Sequence, residues 1–170
     1  MPVKFKFIFT LLATLMAATV AIPALAADEE WQEAEAPPPP AWHKEGLLAI
    51  EMPIRTSLNF GVDPTTLTIG PDWVVRYVMV AYNPTGSGSV NAMYEGLRCD
   101  TGEVKTYARS SEPGQWNKVA TPVWRELDVT QNATRHALAF ARQGACDGNA
   151  PGGRTPAELI RRFKDPRKNP

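Results

Sequence analysis

Trp73-Val74-Val75-Arg76-Tyr77-Val78-Met79-Val80-Ala81-Tyr82-Asn83 is the run that decides the fold. It is dense in β-branched and aromatic residues and holds one charge, so it reads as a long strand. It stops at Pro84-Thr85-Gly86-Ser87-Gly88, a run of turn formers. Ser89 to Cys99 then reads as the return strand. Asp100-Thr101-Gly102 is a second turn, and Glu103 to Arg109 a third strand. Three strands joined by short turns make an antiparallel meander.

Outward toward the N-terminus, Thr65 to Ile69 reads as a further strand after the Asp63-Pro64 turn. Leu47 to Met52 reads as a short one. Toward the C-terminus, Gln115 to Val119 adds an edge strand. Near Thr130 the period changes from two to that of a helix. Ala133, Ala137, Phe140 and Ala141 share a face, and Gly144 is the stop. A glycine-rich loop, Gly148 to Gly153, leads to a second helix. Thr155 is its N-cap, Pro156 its first residue, and Glu158 completes a capping box. The expected fold is therefore α+β: an antiparallel β-meander sheet with two C-terminal helices packed on one face.

The first 26 residues are of another kind. Lys4 and Lys6 precede an uncharged apolar run from Phe7 to Val20, and Pro23-Ala24-Leu25-Ala26 ends in small residues. This is the pattern of a secretory signal peptide, with cleavage expected after Ala26. The apolar run is too short to span a bilayer comfortably, and no later stretch is longer. No cysteine lies near the cut, so a lipid anchor is not expected. The organisation read from the sequence is leader 1–26, acidic Pro-rich arm 27–41, one globular domain 42–165, and basic tail 166–170. Pro37-Pro38-Pro39-Pro40 favours an extended polyproline II segment in the arm, a spacer in the first reading and a ligand for an aromatic groove in the second, and the flanking Trp31 and Trp42 are of the kind that folds back onto a domain.

The 18 bases and 18 acids of the precursor balance. Losing Lys4 and Lys6 with the leader leaves a net −2. Acids crowd residues 27–53 and bases crowd residues 154–170. The basic run is short and nearly free of aromatics, so nucleic acid is a poor partner. The two cysteines, Cys99 and Cys146, read as one structural disulfide in an oxidising compartment. Neither they nor His43 and His136 show the close pairs of a zinc site, so no metal and no cofactor is implied.

No nucleophile elbow, zinc-protease helix, phosphate loop or dinucleotide fingerprint occurs, which points away from an enzyme. The unusual feature is charge inside strands: Arg76, Glu95 and Arg98, with Tyr77, Tyr94 and Tyr107 beside them, while Trp73, Trp116 and Trp124 read either as core or as a carbohydrate or peptide surface. Two readings stand. In the first, Arg76 and Glu95 are neighbours across the Pro84–Gly88 turn and form a cross-strand ion pair on the solvent face. Alternatively, Arg76 and Arg98 hold an anion in a groove where the aromatic rings stack on a ring or sugar.

The segments Trp73 to Val78, Tyr94-Glu95-Gly96-Leu97-Arg98-Cys99, Thr101-Gly102-Glu103 and Tyr107 resemble the cryptic neisserial protein-like family, small exported proteins of Gram-negative bacteria with no assigned activity. The resemblance covers roughly residues 40–145. It implies a periplasmic or envelope location and carries over no catalytic residue. The expected function is a non-enzymatic binding or interaction module of the periplasm, its partner an envelope protein or a cell-wall component. A structural envelope protein using the acidic arm and basic tail is the alternative, and an uncharacterised hydrolase the third.

Overall fold

The computed structural model describes residues 30–85, 88 and 90–165. The leader with its cleavage site and the basic tail lie outside the described residues. The elements are β1 (Leu48–Ile50), β2 (Asn59–Val62), β3 (Thr68–Ile69), β4 (Val75–Tyr82), β5 (Asn91–Arg98), β6 (Glu103–Glu112), β7 (Gln115–Lys118), β8 (Arg125–Glu126), α1 (Arg135–Phe140), β9 (Cys146–Asp147), β10 (Ala150–Pro151) and α2 (Pro156–Phe163). The large sheet is antiparallel, in the order β1-β2-β4-β5-β6-β7, with β3 on β4 and β8 on β6. The fold is α+β, as the patterning requires, with the meander β4–β5–β6 at its centre.

β4 and β5 are buried on both faces. Period-two alternation sends Val75, Tyr77 and Met79 with Met93 and Leu97 to one face. There they pack on Ala139, Phe140 and Ala141 around α1 and on Leu159 of α2. Val78 and Val80 with Ala92, Tyr94 and Ala108 form a second core on the opposite face, around Trp42. The β5–β6 ladder carries a bulge. Tyr94 pairs with Ala108 and Glu95 with Thr106, which leaves Tyr107 as the extra residue. The bulge turns the Tyr107 ring toward Tyr94, at 5.3 Å between centroids, on the second face.

Several local expectations change. The strand expected over Thr65–Ile69 is reduced to β3, because Asp63 caps a short 3-10 turn over Pro64–Thr66 and accepts from the Thr65 amide at 2.9 Å. β2 and β8 carry no strong strand signal and are fixed by pairing with β4 and β6. α1 starts at Arg135 rather than near Thr130, so Ala133 is exposed and His136 takes its place on the buried face. α1 runs into a wider π-type turn over Ala141–Ala145, where Gly144 adopts φ 120°. The glycine-rich loop contains the small β9–β10 hairpin. α2 begins as expected: Thr155 accepts from the Glu158 amide at 3.3 Å. The Glu158 carboxylate reaches one residue further back, to the Arg154 amide at 2.7 Å.

Cys99 and Cys146 form a disulfide across 47 residues, joining the end of β5 to the start of β9. In the chain-entropy account, closing such a loop contributes about 4 kcal/mol.

The largest change concerns the arm. From Trp31 onward the described residues pack as one compact unit. Residues 31–42 are not a spacer. They lie as a strap against the second face of the sheet, held mainly through polar and aromatic groups that hydrophobic periodicity does not register.

Candidate functional site

The ladder between β4 and β5 pairs Arg76 with Gly96 and Tyr77 with Glu95. Arg76 and Glu95 therefore point to opposite faces. The expected cross-strand pair does not form, and each residue has another partner.

Arg76 meets Asp72. The guanidinium donates to both carboxylate oxygens at 3.0 and 2.7 Å, and the two side chains are 2% and 1% exposed. Asp72 also accepts from the amides of Ala34 at 2.9 Å and Val74 at 3.3 Å. Burial works to raise the Asp72 carboxyl, but these donors and the Arg76 charge outweigh it and hold it below its ordinary value. Arg76 Nε is buried with no partner. Arg76 Nη2 donates to the Ala34 carbonyl at 3.0 Å. The pair is thus built into the strap contact.

Glu95 lies on the helix side and is fully buried. Its carboxylate accepts from Tyr77 at 3.1 Å and Thr106 at 3.1 Å, and His136 Nε2 lies at 2.9 and 3.1 Å. Phe60 stacks on the imidazole with the ring planes 6° apart. Burial and the adjacent Glu95 push the Tyr77 hydroxyl well above its ordinary value, so it stays a donor. The acid and imidazole do meet, but inside the core between sheet and α1, where Glu95 has three partners and no exposed surface. The acid that His136 meets lies 41 residues away, and not at Asp128, the acid nearer to it in sequence.

The remaining predicted residues do come together on the strap face. Arg98 lies 3.6 Å from the ring centroid of Trp31 and bonds Asp100 at 2.8 Å. Trp31 meets Trp124 edge-on at 6.0 Å. The Glu33 carboxylate accepts from Lys105 at 2.5 Å, Tyr107 at 2.8 Å and Trp124 at 3.2 Å. Burial works to raise Glu33, but these donors and the Lys105 charge prevail and lower it. Burial first, then the Glu33 hydrogen bond, pushes the Tyr107 hydroxyl far up, so it remains protonated. Tyr94 sits beneath Tyr107 and near Trp116, whose Nε1 donates to the Pro40 carbonyl at 2.9 Å. Gly96 is where the chain must stay small: a Cβ there would fall 2.5 Å from the Tyr107 hydroxyl and 2.9 Å from Val74. Cations and aromatic rings line a groove on this face, and residues of the chain itself fill it. Lys105 and Glu33 are its members that the sequence reading did not single out.

At one end of the groove lies an open cleft of 270 Å³, lined by Trp31, Asp72, Trp73, Asp100 and the Asn149–Pro151 segment. Trp73 is 58% exposed and has φ 61°, in the left-handed region that bulky residues avoid. The turn that holds it is closed by two backbone bonds of 3.0 Å, Gly70 to Val74 and Trp73 to Gly70. Among the described residues, no group of three His, Cys, Asp or Glu side chains is placed to hold a metal ion. Nor is any described helix long and apolar enough to cross a membrane.

The run Tyr94 to Cys99 now reads as one strand end serving both faces: Tyr94, Gly96 and Arg98 under the strap, Glu95, Leu97 and Cys99 toward the helices. The sequence profile described as the CNP1-like family matches residues 26–164. The chain belongs to the CNP1-like family. The family has no assigned function, so membership fixes kinship and leaves the activity to be argued from the site. No curated protein and no solved structure matches the chain. What distinguishes this CNP1-like chain as a surface is the covered groove and the open cleft beside it, which share Trp31.

Proposed function

We propose that this CNP1-like chain is an exported, non-enzymatic binding module of the periplasm, and that its open cleft takes a sugar unit of a cell-wall glycan. The observation that carries the reading is Trp73. A large aromatic side chain is held exposed by a backbone conformation that costs roughly 1–3 kcal/mol. Strain of that kind is tolerated where the position of a side chain is used. Trp73 and Trp31 supply flat apolar walls, and Asp100 and Asn149 supply polar groups at the rim. That combination suits a ring with an apolar face and hydroxyls around its edge. Binding rather than catalysis is favoured because the two carboxylates of the cleft, Asp72 and Asp100, are already engaged by Arg76 and Arg98. Export is supported by the leader pattern of residues 1–26 and by the disulfide, which persists in oxidising compartments.

The test is a titration of the mature chain with soluble cell-wall glycan fragments, followed by tryptophan fluorescence. Wild type should show a saturable change, and Trp73→Ala should abolish it without lowering the melting temperature. A flat titration of the wild type would end the glycan reading. Saturation by a proline-rich peptide in its place would transfer the cleft to an envelope protein.

A further inference from the structure

The groove beneath residues 31–42 is a binding site that is already filled. The strap belongs to no strand of the sheet. It is held at separate points by groups that recognise side chains and carbonyls one at a time. Arg98 and Trp124 take the Trp31 ring. Lys105, Tyr107 and Trp124 converge on the Glu33 carboxylate. The Arg76–Asp72 pair reads the amide and carbonyl of Ala34. Trp116 takes the Pro40 carbonyl. Three donors on one carboxylate with an aromatic ring two positions earlier is how a receptor reads a short peptide. The four prolines keep the segment extended before it docks, which lowers the entropic cost of ordering it.

We propose that residues 31–42 are an exchangeable resident ligand, and that the groove accepts the same segment from a second copy of this chain. The ligand class is an extended peptide with an aromatic residue two positions before a carboxylate. A second copy is the occupant because each contact above is matched to this segment, and every copy carries it. The segment leaves the domain through His43–Leu47, a connection with Gly46 at φ 72° and open space around it. Tethering gives the resident strap an effective concentration of the order of millimolar, so the closed monomer dominates until the resident contacts are weakened. Exchange then needs detachment of residues 31–42, including withdrawal of the buried Trp42 from the second core, with the strands of the sheet still paired.

The experiment uses two full-length variants. One is Trp31→Ala/Glu33→Gln, with a weakened strap and an intact groove. The other is Arg98→Ala/Lys105→Ala, with an intact strap and a weakened groove. Sedimentation velocity should show each alone as a monomer and their mixture as a 1:1 dimer. A fluorescent synthetic peptide of residues 30–42 should bind the strap variant saturably, at least tenfold more tightly than it binds wild type. If the strap variant keeps the folded near-ultraviolet circular dichroism spectrum and binds neither peptide nor the groove variant, the exchangeable ligand is refuted. Peptide binding without a mixed dimer overturns the second-copy source. Should Trp31→Ala/Glu33→Gln fail to fold, Glu33→Gln alone takes its place in both assays. Glycan titration of Trp73→Ala reads a different residue and ligand, so either proposal can fail without the other.

Discussion

Replacing Arg76 with methionine should destabilise the domain severely, because it strands Asp72. The Asp72 side chain is 1% exposed and loses both of its guanidinium bonds, at 3.0 and 2.7 Å. The amides of Ala34 and Val74 remain, but two backbone donors do not neutralise a buried carboxylate. The Ala34 carbonyl also loses its donor. Removing one partner of a buried pair costs about 3–5 kcal/mol, a large part of the ~5–15 kcal/mol that holds a domain together. With a urea slope near 2 kcal/mol per molar, the midpoint should fall by roughly 2 M. Asp72→Asn should cost a similar amount by leaving the Arg76 charge unpaired. The double variant Asp72→Asn/Arg76→Met should cost less than the two singles together, with a coupling of about 2–3 kcal/mol. Urea titrations followed by tryptophan fluorescence, with the disulfide intact, measure all three. An Arg76→Met cost below about 1 kcal/mol, or additive singles, would refute the account and return Arg76 to the surface.

Other expectations concern different parts of the structure. Gly96→Ala should destabilise by roughly 1–3 kcal/mol, because the new methyl meets Tyr107 and Val74 at 2.5 and 2.9 Å; a thermal melt unchanged from wild type would contradict that packing. Reducing Cys99–Cys146 should remove about 4 kcal/mol, read as a lower urea midpoint in the presence of reductant, and Cys99→Ser/Cys146→Ser should match it. Acid should loosen the strap. Glu33 and Asp72 are both lowered on folding, so they contribute stability above their ordinary values of 4.5 and 3.8 and lose it as pH falls through and below these. Amide exchange at Ala34 should therefore accelerate from about pH 4.5 downward relative to the β4 amides, after correction for the intrinsic rate. Equal protection of the two down to pH 3 would argue against the Glu33 and Asp72 anchors.

The sheet was legible in the sequence because β4 and β5 are buried on both faces and their β-branched residues state it directly. The face on which each charge would emerge was not legible. A slip of one residue across the Pro84–Gly88 turn exchanges every side chain between faces, and Arg76 and Glu95 miss direct pairing by that one residue. The bulge at Tyr107 shifts the alternation again within β6, so parity counted from Glu103 misplaces Ala108. His136 was visible as a residue but not as the partner of Glu95, since no local pattern encodes a contact between a strand and a helix that follows much later. The strap was hardest to read. Its acids and prolines resemble a solvated linker, and its anchoring depends on receptors from Asp72 to Trp124 that only the folded sheet assembles.

The strap also sets an order of events. The anchoring atoms of Trp31, Glu33 and Ala34 leave the ribosome before every group that holds them, with separations from 38 to 93 residues. The part of the chain made first is therefore among the last to find its place. Contacts of such span close slowly, and their receptors on Asp72, Arg76, Lys105 and Tyr107 are assembled by the sheet. A nascent chain that stops before Trp124 leaves the Trp31 ring without its edge-on partner and Glu33 short of one donor. Docking of residues 31–42 thus reports that the sheet beneath them is complete, on the face opposite the one that the helices close.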